Sequence, residues 1–139
     1  MTNDPLPPAA VPGRAMLLVD DNEAFREMTA MALGNLGYSV KTCASPEDAI
    51  ASAADTPAFE LLMTDVVMTR MNGIDLAAEI RRRVPNIKVL FCSGYPEAAL
   101  ARQGLDLGVG EFLMKPISLG MLSSTIRELL DPPSAGSTS

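Results

Sequence analysis

The 139-residue sequence contains no histidine and no tryptophan, and it has only two cysteines. Without histidine, the chain has no imidazole metal ligand, no histidine general base and no phosphohistidine of its own. The cysteines, Cys43 and Cys92, lie far apart and outside any CxxC pair, which favours buried free thiols in a reducing compartment. Any metal ion that the chain binds is therefore expected to be held by oxygen.

Basic residues are also scarce, with 11 Lys and Arg against 17 Asp and Glu. A net charge of −6 disfavours binding to nucleic acid or to anionic lipid, because both reward clustered Lys and Arg. Four Phe and two Tyr among 47% hydrophobic residues predict one domain with a mainly aliphatic core. Proteins and small ions are the expected partners, with no nucleic acid and no membrane.

No run of apolar residues approaches the length of a transmembrane helix. Residues 1–13 contain four prolines and no pattern of a signal peptide, so they are expected to form a flexible leader. Residues 14–131 are expected to form the folded domain, and the polar residues 132–139 a flexible tail. These features predict a cytoplasmic protein.

Short apolar runs alternate with amphipathic stretches along the chain. This alternation predicts five strands and five helices, and therefore an α/β fold whose parallel sheet is covered on both faces. The strands are predicted at Ala15–Val19, at Tyr38–Cys43, in a run ending at Asp65, at Ile87–Cys92 and at Glu111–Met114. The helices are predicted from Glu23 to Leu36, from Pro46 to about Ala54, from Gly73 onward, from Glu97 to Gln103 and from Leu119 to Leu130.

Polar side chains follow four of the five strands. Asp20 and Asp21 follow the first strand, while Asp65, Ser93 and Lys115 stand at the ends of the third, fourth and fifth. An Asp after a strand commonly just begins a turn. Four such coincidences at one edge are unlikely from turn chemistry alone, and ligands bind outside the carboxyl ends of the strands in sheets of this kind.

Three carboxylates in one pocket repel one another unless a cation intervenes. Mg²⁺ fits best, because it accepts carboxylates and water and completes its coordination with phosphate oxygens. Lys115 would add a positive charge and Ser93 a hydroxyl donor. The chemistry that this set suggests is transfer of a phosphoryl group onto Asp65, with the carboxylate as nucleophile.

These residues stand in short motifs that together resemble the receiver domain of two-component response regulators. The motifs are Val19-Asp20-Asp21, Thr64-Asp65-Val66-Val67-Met68, Met71-Asn72-Gly73, Ser93-Gly94-Tyr95 and Lys115-Pro116, in order between Ala15 and about Leu130. The resemblance implies a flavodoxin-like fold with strand order 2-1-3-4-5. It also implies a protein that takes a phosphoryl group from a histidine kinase or a phosphotransfer protein and switches a protein-interaction surface.

The resemblance assigns a role to each residue of the pocket. Asp65 is implied to be the phosphoacceptor, Asp21 a direct Mg²⁺ ligand, Asp20 an acid acting through metal-bound water, and the Val67 carbonyl oxygen a further ligand. Lys115 is implied to pair with the phosphoryl group, with a Lys-Pro bond that is usually cis in the family.

The remaining implied roles concern the response to phosphorylation. Ser93 is implied to be the hydroxyl switch, and Phe112 the aromatic residue that rotates with it and changes the surface of the fourth helix, fifth strand and fifth helix. The family catalyses only phosphoryl transfer to, and hydrolysis from, its own aspartate. The expected assembly is a monomer or a weak, phosphorylation-dependent dimer, and the output is expected to be another protein.

One motif departs from the family pattern. Thr69-Arg70 stands where the family usually has Pro-Gly, which predicts a more mobile loop and an arginine that alters access to Asp65.

Several alternatives stay open at this point. A phosphatase of the haloacid dehalogenase type also uses a carboxylate, Mg²⁺, Ser and Lys, although it needs Asp-x-Asp where this chain has Asp20-Asp21-Asn22. An adaptor of the same fold that signals without phosphate is a second rival, and a flavin or nucleotide carrier a weaker one, because no Gly-rich phosphate loop follows the first strand. A stand-alone regulator and a receiver from a hybrid kinase are both compatible with the sequence.

Overall fold

The computed structural model describes residues 14–55, 58–108 and 110–131. The predicted leader and tail therefore lie outside the described residues. The elements are β1 (Ala15–Val19), α1 (Glu23–Asn35), β2 (Ser39–Cys43), α2 (Pro46–Asp55), β3 (Leu61–Asp65), α3 (Gly73–Arg83), β4 (Lys88–Ser93), α4 (Glu97–Arg102), β5 (Glu111–Met114) and α5 (Leu119–Leu130). All strand pairs are parallel in the order β2-β1-β3-β4-β5, which confirms the predicted fold class and strand order.

The three inner strands are apolar because helices cover both of their faces. The side chains of β1, β3 and β4 are almost all buried. The edge strand β2 reads Ser-Val-Lys-Thr-Cys and is largely exposed, which explains its weak sequence pattern.

Alternate strand residues pack into two separate cores, because successive side chains point to opposite faces. One core joins Leu17, Leu62 and Phe91 to helices α2, α3 and α4. The other joins Met63 and Cys92 to helices α1 and α5. Both cysteines are buried free thiols, as predicted, and burial raises the pKa of each.

Two differences from the predicted elements concern β4 and α1. Strand β4 runs one residue later than predicted, because Ser93 pairs with Met114 of β5 and so extends the ladder. Helix α1 ends at Asn35, one residue before the predicted Leu36, and the apolar residues Met28 and Leu36 are 66% and 44% exposed. Only a narrow stripe of this helix is buried, and it includes Leu33.

Two local features mark the ends and starts of helices. Gly37, with φ of 101°, lies just beyond the end of α1, where glycine adopts the left-handed conformation without a steric penalty. The side chains of Asn22, Asn72 and Ser118 cap α1, α3 and α5 by accepting hydrogen bonds from backbone N–H groups in the first turn. In the part of the chain that the structure describes, no helix is long and apolar enough to cross a bilayer.

Candidate functional site

The carboxyl edge of the sheet brings together the three predicted carboxylates. Asp20 and Asp21 directly follow β1, and Asp65 is the last residue of the adjacent strand β3. One carboxylate oxygen from each lies within 4.8 Å of the other two. Asp20 is buried, Asp65 is half-buried and Asp21 is exposed, so the cluster opens to solvent on the side of Asp21.

Asp20 is held by three donors. The backbone N–H of Asn22 donates to Oδ1 at 2.9 Å, and Lys115 Nζ donates to Oδ2 at 2.8 Å. The guanidinium of Arg26 donates to the Asp20 carbonyl oxygen at 2.7 Å. The sequence reasoning gave no role to Asn22 or Arg26, although both lie within six residues of Asp20.

Lys115 lies between two of the carboxylates. Its ammonium nitrogen is 2.8 Å from Asp20 Oδ2 and 3.8 Å from Asp65 Oδ2, and it sits 4.1 Å from the centre of the Phe25 ring. The backbone N–H of Lys115 donates to the Ser93 carbonyl oxygen at 2.7 Å, and the Lys115-Pro116 bond is cis, as the family resemblance implied. Phe25 is a contact that the sequence reasoning missed, because its position in α1 gives no sign that it meets Lys115.

The electrostatics of the pocket are unfavourable without a cation. Burial, together with the charges of Asp20 and Asp21, raises the pKa of Asp65 to about 6, while Lys115 and the Val66 N–H act in the opposite direction. One lysine therefore does not balance the three carboxylates.

The donor set fits a hard divalent cation. Mg²⁺ binds oxygen at about 2.1 Å in octahedral geometry, which places its ligand oxygens about 3 to 4 Å apart. The carboxylate spacing within 4.8 Å is close to that range. Val67 follows Asp65 by two residues, and its carbonyl oxygen accepts no hydrogen bond from another described residue, so it is available as a further ligand.

The loop from β3 to α3 passes directly over the end of β3. The Gly73 N–H donates to the Val66 carbonyl oxygen at 2.8 Å, and a Cβ atom at position 73 would overlap the carbonyl oxygen of Asp65. Only glycine permits this approach without moving Asp65. The sequence reasoning matched Gly73 to a family motif without giving it a role, although the Asn-Gly pair at the start of a helix was the available signal.

The unusual pair Thr69-Arg70 makes two contacts outside its own loop. The Thr69 hydroxyl donates to Asp21 Oδ2 at 3.1 Å, and Arg70 Nε lies 3.3 Å from Glu47 Oε2 on α2. The arginine thus pairs with Glu47 on α2, and its expected effect on access to Asp65 stays a prediction. The expectation of a more mobile loop stays a prediction.

Ser93 and Phe112 share one face of the sheet. Ser93 ends β4, is only 1% exposed, and its hydroxyl oxygen accepts a hydrogen bond from the Tyr95 N–H at 3.0 Å. Phe112 is half-buried and pairs in register with Phe91, two residues before Ser93. Because side chains two residues apart on a strand share a face, Ser93, Phe91 and Phe112 point to the same side.

Comparison with known proteins identifies relatives of this fold and sequence. Residues 16–127 match the family model described as the response regulator receiver domain. The chain is 39% identical over 118 residues to the sensor kinase CckA of Brucella abortus (strain 2308), and 32% identical over 123 residues to the DNA-binding transcriptional regulator NtrC of Azospirillum brasilense. These matches cover 84% and 86% of the chain but only 12% and 25% of the two relatives.

Two solved structures of similar fold match this chain over nearly their whole length. The receiver domain of the hybrid histidine kinase CckA is 30% identical with a TM-score of 0.72, and the match covers 84% of this chain and 99% of that one. The chemotaxis protein CheY4 of Vibrio cholerae is 26% identical with a TM-score of 0.75, and the match covers 84% and 98%.

Proposed function

The chain belongs to the family of response regulator receiver domains and functions in two-component signalling, and we propose that Asp65 is its phosphoacceptor. The observation that carries this assignment is the position of Asp65 at the end of the central strand, beside two further carboxylates and 3.8 Å from Lys115 Nζ. Membership of the family argues against the phosphatase and the flavin or nucleotide carrier.

The transfer step needs little from the protein beyond position and charge. A carboxylate oxygen of Asp65 attacks the phosphorus of the donor, and the bond between phosphorus and the donor nitrogen or oxygen breaks. The electron pair of that bond stays with the leaving group. With Mg²⁺ bound by Asp20, Asp21, Asp65 and the Val67 carbonyl oxygen, the cation would supply charge neutralisation for the incoming phosphoryl group.

Lys115 and Ser93 are the other two catalytic side chains in this proposal. The Lys115 ammonium is 2.8 Å from Asp20 and 3.8 Å from Asp65, and a phosphoryl group on Asp65 would bring a stronger anionic partner toward it. The Ser93 hydroxyl accepts from the Tyr95 N–H and keeps its own proton to donate to a phosphoryl oxygen. The catalytic role of the chain is confined to transfer to Asp65 and hydrolysis from it.

The response to phosphorylation runs from Ser93 to Phe112. When the Ser93 hydroxyl moves toward the phosphoryl group, the hydrogen bond that it accepts from the Tyr95 N–H weakens. The loop before α4 then becomes less restrained. The half-buried Phe112 ring, on the same side of the sheet, is then free to turn inward. The surface of α4, β5 and α5 is the proposed site for a downstream protein or a weak dimer; Met114 of β5 is 50% exposed there, and Tyr95, in the loop before α4, is 54% exposed.

The phosphodonor is proposed to be a histidine kinase or a histidine phosphotransfer protein. Its surface has to cover the mouth of the pocket in order to bring a phosphorylated side chain to Asp65. An apolar groove of about 240 Å³ between α1 and α5 adjoins that mouth, since Phe25 lines the groove and also contacts Lys115. Met28, 66% exposed, lies in the same groove and suits an apolar donor surface.

The proposal also covers the bounds of the receiver domain and its location in the cell. Arg14 and Asp131 form a pair of 2.8 Å hydrogen bonds between the two ends of the described fold, which supports residues 14–131 as the receiver domain. The buried free thiols support a reducing, cytoplasmic location.

The test is phosphorylation by acetyl phosphate with Mg²⁺, followed by intact-mass measurement. The wild-type chain should gain one phosphoryl group, and Asp65→Asn none. Asp48→Asn is the matched control, because Asp48 is an exposed acid on α2. Normal phosphorylation of Asp65→Asn would refute the assignment, while sustained turnover of a phosphate ester would favour a phosphatase.

A further inference from the structure

We propose that Thr69 is a positioning residue that holds Asp21 in place for Mg²⁺. The inference rests on the proposed metal site and concerns the residue that departs from the family pattern. Its basis is the hydrogen bond from the Thr69 hydroxyl to Asp21 Oδ2 at 3.1 Å, which joins residues 48 positions apart in the sequence.

The three carboxylates are not equally well held. Asp20 is buried and receives bonds on both carboxylate oxygens, from Asn22 and Lys115. Asp21 is exposed, and among the described residues its carboxylate accepts a hydrogen bond only from Thr69. The orientation of Asp21 therefore depends on this one contact.

Like-charge repulsion makes the contact important. Asp21 lies beside two carboxylates of the same sign, and an exposed side chain relieves that repulsion by rotating into water. A hydroxyl donor at Oδ2 opposes the rotation and leaves Oδ1 free for the cation. Hydrogen bonds of this kind orient metal ligands, and their loss commonly reduces metal affinity.

Other contacts also hold the loop between β3 and α3 that contains Thr69. The Gly73 N–H bonds to the Val66 carbonyl oxygen and closes the loop onto β3, and Arg70 pairs with Glu47. The Arg70 and Glu47 side chains are 71% and 55% exposed, so their ion pair contributes little and the loop closure matters more. Proline at position 69 would provide neither the hydroxyl nor this link to Asp21.

The experiment compares Mg²⁺ affinity and metal-free stability in three variants. Thr69→Val keeps the shape of the side chain and removes the hydroxyl, Thr69→Ser keeps the hydroxyl, and Arg70→Gln removes only the ion pair. Affinity is measured by calorimetric titration with Mg²⁺ and by backbone NMR shifts of Asp21. Thr69→Val should bind about tenfold more weakly, whereas the other two should stay within about twofold of the wild type.

The readout distinguishes positioning from a simple structural tether. A tether would lower the metal-free melting temperature of Thr69→Val and leave Mg²⁺ affinity unchanged, and that result would overturn the proposal. Equal losses in Thr69→Val and Thr69→Ser would also overturn it, because the hydroxyl would not be the cause. If the wild-type chain itself bound no Mg²⁺, the proposed metal site would fail together with this inference.

Discussion

The charged residues around Arg14, at the amino edge of the sheet, form partly exposed ion pairs, whereas those at the carboxyl edge are crowded and mostly of one sign. At the amino edge, Arg14 donates to both carboxylate oxygens of Asp131 and lies 3.6 Å from Glu60. At the carboxyl edge, Asp20 and Asp65 pair with Lys115, and Asp21 has no ion pair among the described residues.

The difference separates a contact that stabilises the fold from a site that costs stability. Exposed pairs such as Arg14–Asp131 contribute at most modestly, because water and salt screen them. The carboxyl edge instead keeps Asp65 in surroundings that disfavour its charge, and strongly shifted pKa values concentrate at functional sites. Substitutions at the two edges should therefore change stability in opposite directions.

The largest expected effect is a pH-dependent gain in stability in Asp65→Asn. The pKa of Asp65 rises from 3.8 to about 6 on folding, so the folded state favours the protonated carboxyl. Wild-type stability then falls as pH rises from about 4 to about 6, by about 3 kcal/mol, and Asp65→Asn avoids this loss. Urea unfolding of both metal-free proteins at pH 4 and pH 7.5 measures the difference. Asp65→Asn should be more stable than the wild type only at pH 7.5.

Mg²⁺ provides the control for that comparison. A cation favours the charged carboxylate, so saturating Mg²⁺ should stabilise the wild type at pH 7.5 and narrow its difference from Asp65→Asn. Equal stability of the two metal-free proteins at pH 7.5 would mean that the carboxyl edge is not destabilising.

Removal of Asp21 should weaken Mg²⁺ binding at least about tenfold, because it removes both a ligand and an attracting charge. The same change relieves repulsion on Asp65, so metal-free stability should rise slightly. Calorimetric titration of Asp21→Ala gives the affinity. Glu23→Ala is the control, since Glu23 is an exposed acid two residues away. Unchanged affinity in Asp21→Ala would count against the metal site.

The Ser93→Ala variant tests the coupling between the pocket and Phe112 on the neighbouring strand β5. It should still accept phosphate on Asp65 but lose most of the response around Phe112. NMR shifts with and without beryllofluoride, a phosphoryl mimic, measure that response, and Ser93→Thr should retain it because the hydroxyl remains. Wild-type shifts confined to the pocket would contradict the coupling.

The smallest effect is expected at the amino edge. Arg14→Gln should lower the free energy of unfolding by less than about 1 kcal/mol, and the difference should shrink at high salt. Urea unfolding at low and high ionic strength measures it. A loss larger than that of a typical buried contact would show that the amino edge contributes strongly to stability.

Local patterns in the sequence were sufficient for the fold class and the clustering of strand-end residues, whereas the strand order came from the family resemblance. Apolar runs that end in Asp20 or Asp65 are visible residue by residue, because strand burial and helix periodicity act over short distances. The parallel arrangement then places these ends at one edge. Sequence alone therefore predicted which residues form the pocket.

Tertiary structure decided the contacts between residues far apart in the chain. The bond from Thr69 to Asp21, the Phe25 ring beside Lys115 and the pair of Arg14 with Asp131 depend on how loops and helices meet across the sheet. The exposure of Met28 depends on how much of α1 the sheet covers. Periodicity does not encode such distances, because it reports which face of an element is apolar and not what that face meets.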